Sequence, residues 1–97
     1  MIVYKPSIEI FMGKSETVKL SFDKEIAHLI KQTVFHHSQR LLVLEDGRVE
    51  IEMEVGIGVG LAYWVLSFGN LAMVVRPEKL AVAVESLAKE TAKRYEP

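Results

Sequence analysis

The feature that most constrains the fold is a pair of alternating segments on either side of Asp46-Gly47. In the second segment, residues 48–55, an aliphatic or methionine side chain stands at every second position and glutamates lie between them. A period of two is typical of a strand with one buried face. Asp-Gly between two such segments favours a two-residue hairpin turn, because its central residues need positive φ. The sequence therefore predicts a β-hairpin formed by residues 40–45 and 48–55.

The predicted turn also specifies the register of the hairpin and the face on which each side chain lies. With a two-residue turn, Leu42 lies opposite Ile51. Leu41 and Val43 would then share the face of the strand glutamates, away from the helices. Aliphatic side chains on an uncovered sheet face usually mark an interface. Leu41 and Val43 are therefore the candidate residues for contact with a partner.

Shorter patterns predict the remaining elements, including a capping role for Asp23 at the start of the first helix. The other segments are a strand at 17–22, helices at 24–35 and 61–68, a strand at 71–76, and a last helix at 77–95. This order is the α+β plan called ferredoxin-like or split βαβ, β-α-β-β-α-β, with an additional C-terminal helix. We expect the first and third strands to form a central parallel pair, with Lys19 facing the glutamates of the third strand.

The length of 97 residues is enough for one hydrophobic core. We expect a single ferredoxin-like α+β domain over residues 15–97. Residues 1–14 have no clean period, and we expect them to form an arm or a junction with an upstream domain that is missing from this sequence.

Composition excludes several classes of function. The formal net charge of −1 gives no general attraction for nucleic acid or an anionic membrane. The absence of cysteine removes disulfides, thiolate nucleophiles and cysteine-based metal sites. Residues 55–75 carry no charge and are long enough to cross a bilayer. Gly69-Asn70 interrupts this run, which favours a buried helix followed by a buried strand. We expect a cytoplasmic location and no membrane contact.

The glycines at 56, 58 and 60 are the first candidate ligand site. Their spacing is GxGxG, whereas dinucleotide-binding loops require GxGxxG between a strand and a crossover helix. This disfavours a nucleotide cofactor, and none is expected. Gly58 and Gly60 nevertheless remain candidates for the close approach of a ligand, because glycine leaves the backbone accessible.

Other polar residues give weaker indications of chemistry. His36 and His37 are adjacent, and adjacent side chains of a helix point about 100° apart, so a shared metal is not expected. Asn70 and Arg76 are similar to the pair used by small ferredoxin-like phosphatases, which leaves hydrolysis of an acyl phosphate as a third possible function. The first strand–helix junction has no glycine to cradle a phosphate, and we expect no catalytic residues.

Several short motifs together resemble one known family. They are Ser21-Phe22, His36-His37-Ser38-Gln39, Tyr63-Trp64, Ser67-Phe68-Gly69, Pro77-Glu78-Lys79-Leu80 and Tyr95. In this order and spacing, over residues 8–95, they resemble the C-terminal extension (WCX) domain of bacterial WYL-type transcription regulators. The resemblance implies a non-enzymatic domain that follows a DNA-binding winged helix and a ligand-sensing WYL domain, and that helps to dimerise or relays the signal.

The resemblance also implies partners and contact residues. A full-length protein would be a homodimer carrying upstream WYL and winged-helix domains, and it would contact DNA only through the winged helix. His37, Ser38 and Gln39 are then candidates for contact with the sensing domain or its effector. The alternative is a free-standing sensor of a small, nucleotide-like molecule that uses Gly58 and Gly60.

Overall fold

The computed structural model describes Phe11 and residues 13–97. The arm expected over residues 1–14 lies mostly outside these residues. The elements in chain order are β1 (Ser15–Phe22), α1 (Ala27–Lys31), β2 (Arg40–Val43), β3 (Val49–Gly56), α2 (Leu61–Leu66), β4 (Ala72–Arg76) and α3 (Glu78–Lys93). Short 3₁₀ turns, Lys24–Ile26 and Gly69–Leu71, precede α1 and β4.

The four strands form one sheet in the order β2-β3-β1-β4. This confirms the α+β class, the central position of the first and third strands, and the edge positions of the second and fourth. The prediction of a parallel central pair was wrong, because β1 and β3 are antiparallel. The hairpin reverses the chain between β2 and β3, so β3 runs against both of its neighbours.

The hairpin turn is one residue longer than predicted. The N–H of Leu44 donates to the C=O of Arg48 at 2.8 Å, which leaves a three-residue loop that ends at Gly47. Gly47 has φ +92°, the left-handed conformation that closes loops of this length. The longer loop moves the register by one, so that Leu41 lies opposite Ile51 and Val43 opposite Val49. Leu41 and Val43 therefore lie on the helix side, and the prediction that they share the glutamate face was wrong.

The first helix is shorter than its pattern predicted. Asp23 does cap the start, since its carboxylate accepts from the N–H of Glu25 at 2.9 Å. The chain then makes a 3₁₀ turn and a helix that ends at Lys31, rather than near residue 35. Residues 32–39 form a loop whose own hydrogen bonds replace the last predicted turn.

The core lies between one face of the sheet and the helices. Alternate residues of β1 and β3 are buried there with one side chain or more from each helix, as their periods predicted. The members are Val18, Leu20, Phe22, Ala27, Ile30, Val49, Ile51, Met53, Val55, Leu61, Trp64, Val65, Val74 and Leu80. No described helix covers the opposite face, which we call the open face.

Candidate packing surface and the adjoining loop

The centre of the open face is an ordered set of ion pairs. The Nζ atom of Lys19 lies 3.6 Å from a carboxylate oxygen of Glu50 and 3.8 Å from one of Glu52. The guanidinium of Arg40 reaches Glu52 at 3.2 Å from the edge strand. The predicted position of Lys19 opposite the glutamates is confirmed. Because each charge has an opposite neighbour, this part of the surface carries little net field.

Aliphatic side chains flank these ion pairs at both edges of the open face. Leu42, on β2, lies opposite Glu50, and it is 57% exposed. Met73, on β4, lies opposite Ser21 and is 58% exposed, and Val75 is also exposed. The open face therefore has a charged centre and two apolar margins.

Strand β2 exposes aliphatic side chains on its helix side as well. Leu41 and Val43 continue the core layer outward from Ile51 and Val49, yet they are 39% and 49% exposed. The short α1 does not cover them. All four residues of β2 are consequently exposed, and the three that follow Arg40 are aliphatic.

A loop clamp, which we define as Gln39 with its three backbone partners, holds the chain before β2. The Oε1 atom of Gln39 accepts from the N–H of Phe35 at 2.6 Å and from that of His36 at 3.2 Å. Its Nε2 donates to the C=O of Thr33 at 2.9 Å. One side chain thus satisfies three backbone groups in a segment without regular secondary structure.

Ser38 fastens the same loop to the central strand. Its Oγ accepts from the N–H of Glu54 at 3.0 Å. Nδ1 of His36 lies 2.8 Å from this hydroxyl and accepts from the N–H of Ser38 at 3.1 Å. An accepting Nδ1 places the ring proton on Nε2 and requires a neutral imidazole. His36 therefore takes part in the loop structure, a role that the residue spacing alone did not reveal.

Aromatic side chains join this loop to the core. Phe35 stacks on Phe22 with ring centroids 6.1 Å apart, and it meets Trp64 edge to face at 5.1 Å. Phe11 contacts both His36 and Trp64. A movement of the loop would therefore have to disturb the packing of α2 on the sheet.

Of the three residues predicted to contact a sensing domain or effector, only His37 is exposed. Ser38 and Gln39 are half-buried, and their side-chain polar atoms bind within the chain. The three residues thus lie in one loop, and the side chains of Ser38 and Gln39 stabilise that loop. Contact of this loop with a second domain stays a prediction.

The state of His36 predicts a pH dependence of stability. Burial, and secondly the charge of nearby His37, lowers the pKa of His36 below its ordinary value of 6.5. The unfolded chain then binds this proton more readily than the folded chain. We expect the stability contributed by neutral His36 to be present above pH 6.5 and to be lost as the pH falls through the lowered pKa.

Urea unfolding measured at several pH values from neutral to mildly acidic would test this dependence. The His36→Gln variant should show a smaller loss of unfolding free energy over that interval than the wild type. Equal losses in the two proteins would assign the pH dependence to other groups.

The glycine-rich loop lies elsewhere, against the start of α3. Gly58 lines an open groove of about 340 Å³ with Ile57, Val59 and Lys79. The Nζ atom of Lys79 is held 2.6 Å from the carboxylate of Glu16. Gly60 is the N-cap residue directly before α2, and its C=O accepts from the N–H of Trp64. The groove is mainly apolar and its lysine is already paired, and its use by a ligand stays a prediction.

Two further properties apply to the part of the chain that the structure describes. Within Phe11 and residues 13–97, no three His, Asp or Glu side chains are grouped closely enough to hold a metal ion. None of the helices in this part has the length and apolar character needed to cross a membrane.

An antiparallel sheet with helices on one side and an exposed aliphatic edge strand defines a small α+β domain. Comparison with known families specifies it further. The family model of the WCX domain matches residues 14–92, and the chain therefore belongs to the WCX domain family. No curated protein matches the sequence. The resemblance based on the motifs is confirmed, and the family implies the context of a regulatory domain.

Proposed function

We propose that this chain is a non-enzymatic regulatory domain of a bacterial WYL-type transcription regulator, and that it works by self-association. In a full-length regulator, upstream WYL and winged-helix domains would sense the effector and bind DNA. The family supports this context. The strand order β2-β3-β1-β4, with a helical crossover between β1 and β2, supports a ferredoxin-like plan.

The observation that carries the proposal is the aliphatic edge strand. Leu41, Leu42 and Val43 are each between 39% and 57% exposed. Complete burial of such a side chain stabilises by about 1.5–3 kcal/mol, so completing the burial of each is worth about 1 kcal/mol. Because both copies bury these side chains, a dimer gains twice this free energy of burial. Association of a second subunit with this edge is therefore favourable.

The proposal also assigns a part to the loop that precedes β2. The exposed His37 is available to touch a sensing domain, while Gln39 keeps the loop in one shape. An effector that binds one arrangement of the domains better than another would shift their populations. The loop and β2 are continuous in sequence, so contact at the loop bears directly on the packing edge.

Sedimentation equilibrium of the wild-type chain tests self-association, and a dimer is expected. The Leu41→Glu/Val43→Glu variant should be monomeric, because it places four carboxylates at the interface of two copies. Val34→Glu is the matched control, since Val34 is 77% exposed and lies outside β2. Circular dichroism would show that each variant remains folded. A monomeric wild type, or a folded double variant with the mass of the wild type, would contradict the proposal.

A further inference from the structure

We propose that two copies of this chain join edge to edge through β2, antiparallel, about a two-fold axis at Leu42. Two four-stranded sheets would then become one sheet of eight strands. This inference rests on the proposed self-association and adds the surface, the direction and the register of the contact.

The backbone groups of β2 point in directions that allow a further strand to pair with it. The hydrogen bond from Leu44 to Arg48 makes these two residues a hydrogen-bonded pair of the antiparallel ladder. Such pairs alternate along a ladder, so Leu42 and Glu50 form the next one. The N–H and C=O groups of Leu41 and Val43 consequently point away from β3, toward the edge of the sheet that no other described strand covers.

One register of two antiparallel β2 strands pairs all the outward N–H and C=O groups of Leu41 and Val43. If Leu42 lies on the two-fold axis, Leu41 stands opposite Val43 of the second copy, and Val43 stands opposite Leu41 of that copy. Each of these two pairs can exchange both N–H···O=C bonds, as hydrogen-bonded antiparallel pairs do. The two Leu42 residues then form the close, non-hydrogen-bonded pair between them.

Pairing through β2 also brings aliphatic side chains together on both faces of the joined sheet. In this register, Leu41 and Val43 extend the core layer across the junction on the helix side. On the open face, Leu42 contacts Leu42 of the second copy. The arrangement therefore covers aliphatic side chains on both faces of β2, whereas a contact through the open face alone would leave Leu41 and Val43 exposed.

The opposite edge of the sheet is less suited to pairing. The register of β4 shifts between Lys19 and Leu20 of its neighbour, and Pro77 follows directly after its last residue. Irregularities and proline are common protections of edge strands against pairing. In β2, the only charged residue is Arg40 at its start.

Charge complementarity also favours a second copy in the antiparallel direction. Arg40, at the start of β2, has a side chain that is 76% exposed, and it pairs with Glu52 of its own chain through one nitrogen, Nη2. The exposed Glu45 lies just beyond the end of the strand. The proposed register places Arg40 opposite Leu44 of the second copy, next to Glu45 of that copy. The two-fold axis repeats this pairing of opposite charges on the other side.

Charged substitutions at Leu42 test the axis. Leu42→Lys and Leu42→Glu each place two like charges opposite one another in a dimer, at a separation of about 4.5–5.5 Å between Cβ atoms. For each variant alone, we expect the dissociation constant of the dimer, measured by sedimentation equilibrium, to be about ten- to a hundredfold higher than that of the wild type. An equimolar mixture should form one-to-one heterodimers, because lysine then faces glutamate. Met73→Lys is the control, an exposed apolar residue of the open face at the other edge.

Several outcomes would overturn the inference. A dimer that survives in both Leu42 variants, or that dissociates with Met73→Lys instead, would place self-association on another surface and leave the proposed function standing. Two monomeric variants that fail to form heterodimers would remove Leu42 from the axis. A wild type that is monomeric at all concentrations would refute self-association itself. Dimerisation seen only after deletion of residues 1–10 would assign the edge to that segment.

Discussion

Replacement of Phe22 by alanine is expected to lower the free energy of unfolding by about 3–5 kcal/mol. Phe22 is fully buried at the end of β1. Its ring stacks on Phe35 and meets Phe68 edge to face, with ring centroids 5.3 Å apart. Truncation would leave a cavity where the sheet, the clamped loop and the chain after α2 meet. Urea unfolding followed by circular dichroism would measure the loss.

Phe22→Leu is the matched control for this prediction. Leucine keeps most of the apolar volume and loses the aromatic contacts, so we expect a clearly smaller loss than for alanine. The comparison separates cavity formation from ring geometry. A loss below about 1 kcal/mol for Phe22→Ala would show that this junction is not tightly packed.

The second large effect is expected for Gln39→Leu, at about 2–3 kcal/mol of unfolding free energy. The substitution removes three hydrogen bonds at a half-buried site, each worth about 1 kcal/mol. It keeps a side chain of similar size, so the loss reports on the polar contacts. Because the loop clamp fixes Phe35 in the core, we also expect a change in the fluorescence of Trp64, which packs on that ring.

Two further variants isolate the effect of the loop clamp. Gln39→Glu keeps the acceptor oxygens and loses the donor to Thr33. Its free energy of unfolding should therefore lie between those of the wild type and Gln39→Leu. Gln32→Leu applies the same substitution to an exposed glutamine and should have little effect. A loss for Gln32→Leu as large as that for Gln39→Leu would mean that the clamp does not stabilise the loop.

The clamped loop gives the proposed dimer a physical route for regulation. In the edge-to-edge arrangement, the start of each β2 lies beside the hairpin turn of the other copy. His37 and Ser38 stand two or three residues before Arg40 in each chain. An effector or sensing domain that touches this loop would therefore act next to the contact between subunits, where a small shift changes the pairing of both strands.

Much of the fold was predictable because local patterns and tertiary burial agreed. The alternation in β1 and β3 identified their buried residues, and Asp23 identified the helix start. The motifs around His36, Trp64 and Pro77 identified the family, which the match over residues 14–92 confirms. These features depend on residues that are close in sequence, so they can be predicted from sequence periodicity and short motifs.

The candidate site was less predictable, because it depends on one residue of loop length. Asp46-Gly47 is compatible with both a two-residue turn and the end of a three-residue loop. A difference of one residue moved Leu41 and Val43 from the expected face to the other. We now propose them as interface residues because they lie at an outer edge of the described sheet, and no longer because of the face first assigned to them.

The sequence by itself determined the α+β class, the alternating core of the central strands and the family, because each of these is written in short-range periods and motifs. Only the tertiary structure decided the hairpin register and the internal bonds of Ser38 and Gln39, whereas the antiparallel centre of the sheet follows from the hairpin reversal between β2 and β3. The register and the loop bonds depend on which backbone groups pair, and a donor or acceptor in the sequence does not specify its partner. The exposed edge of β2 likewise depends on the tertiary structure, because both faces of the strand lie beyond the cover of the helices.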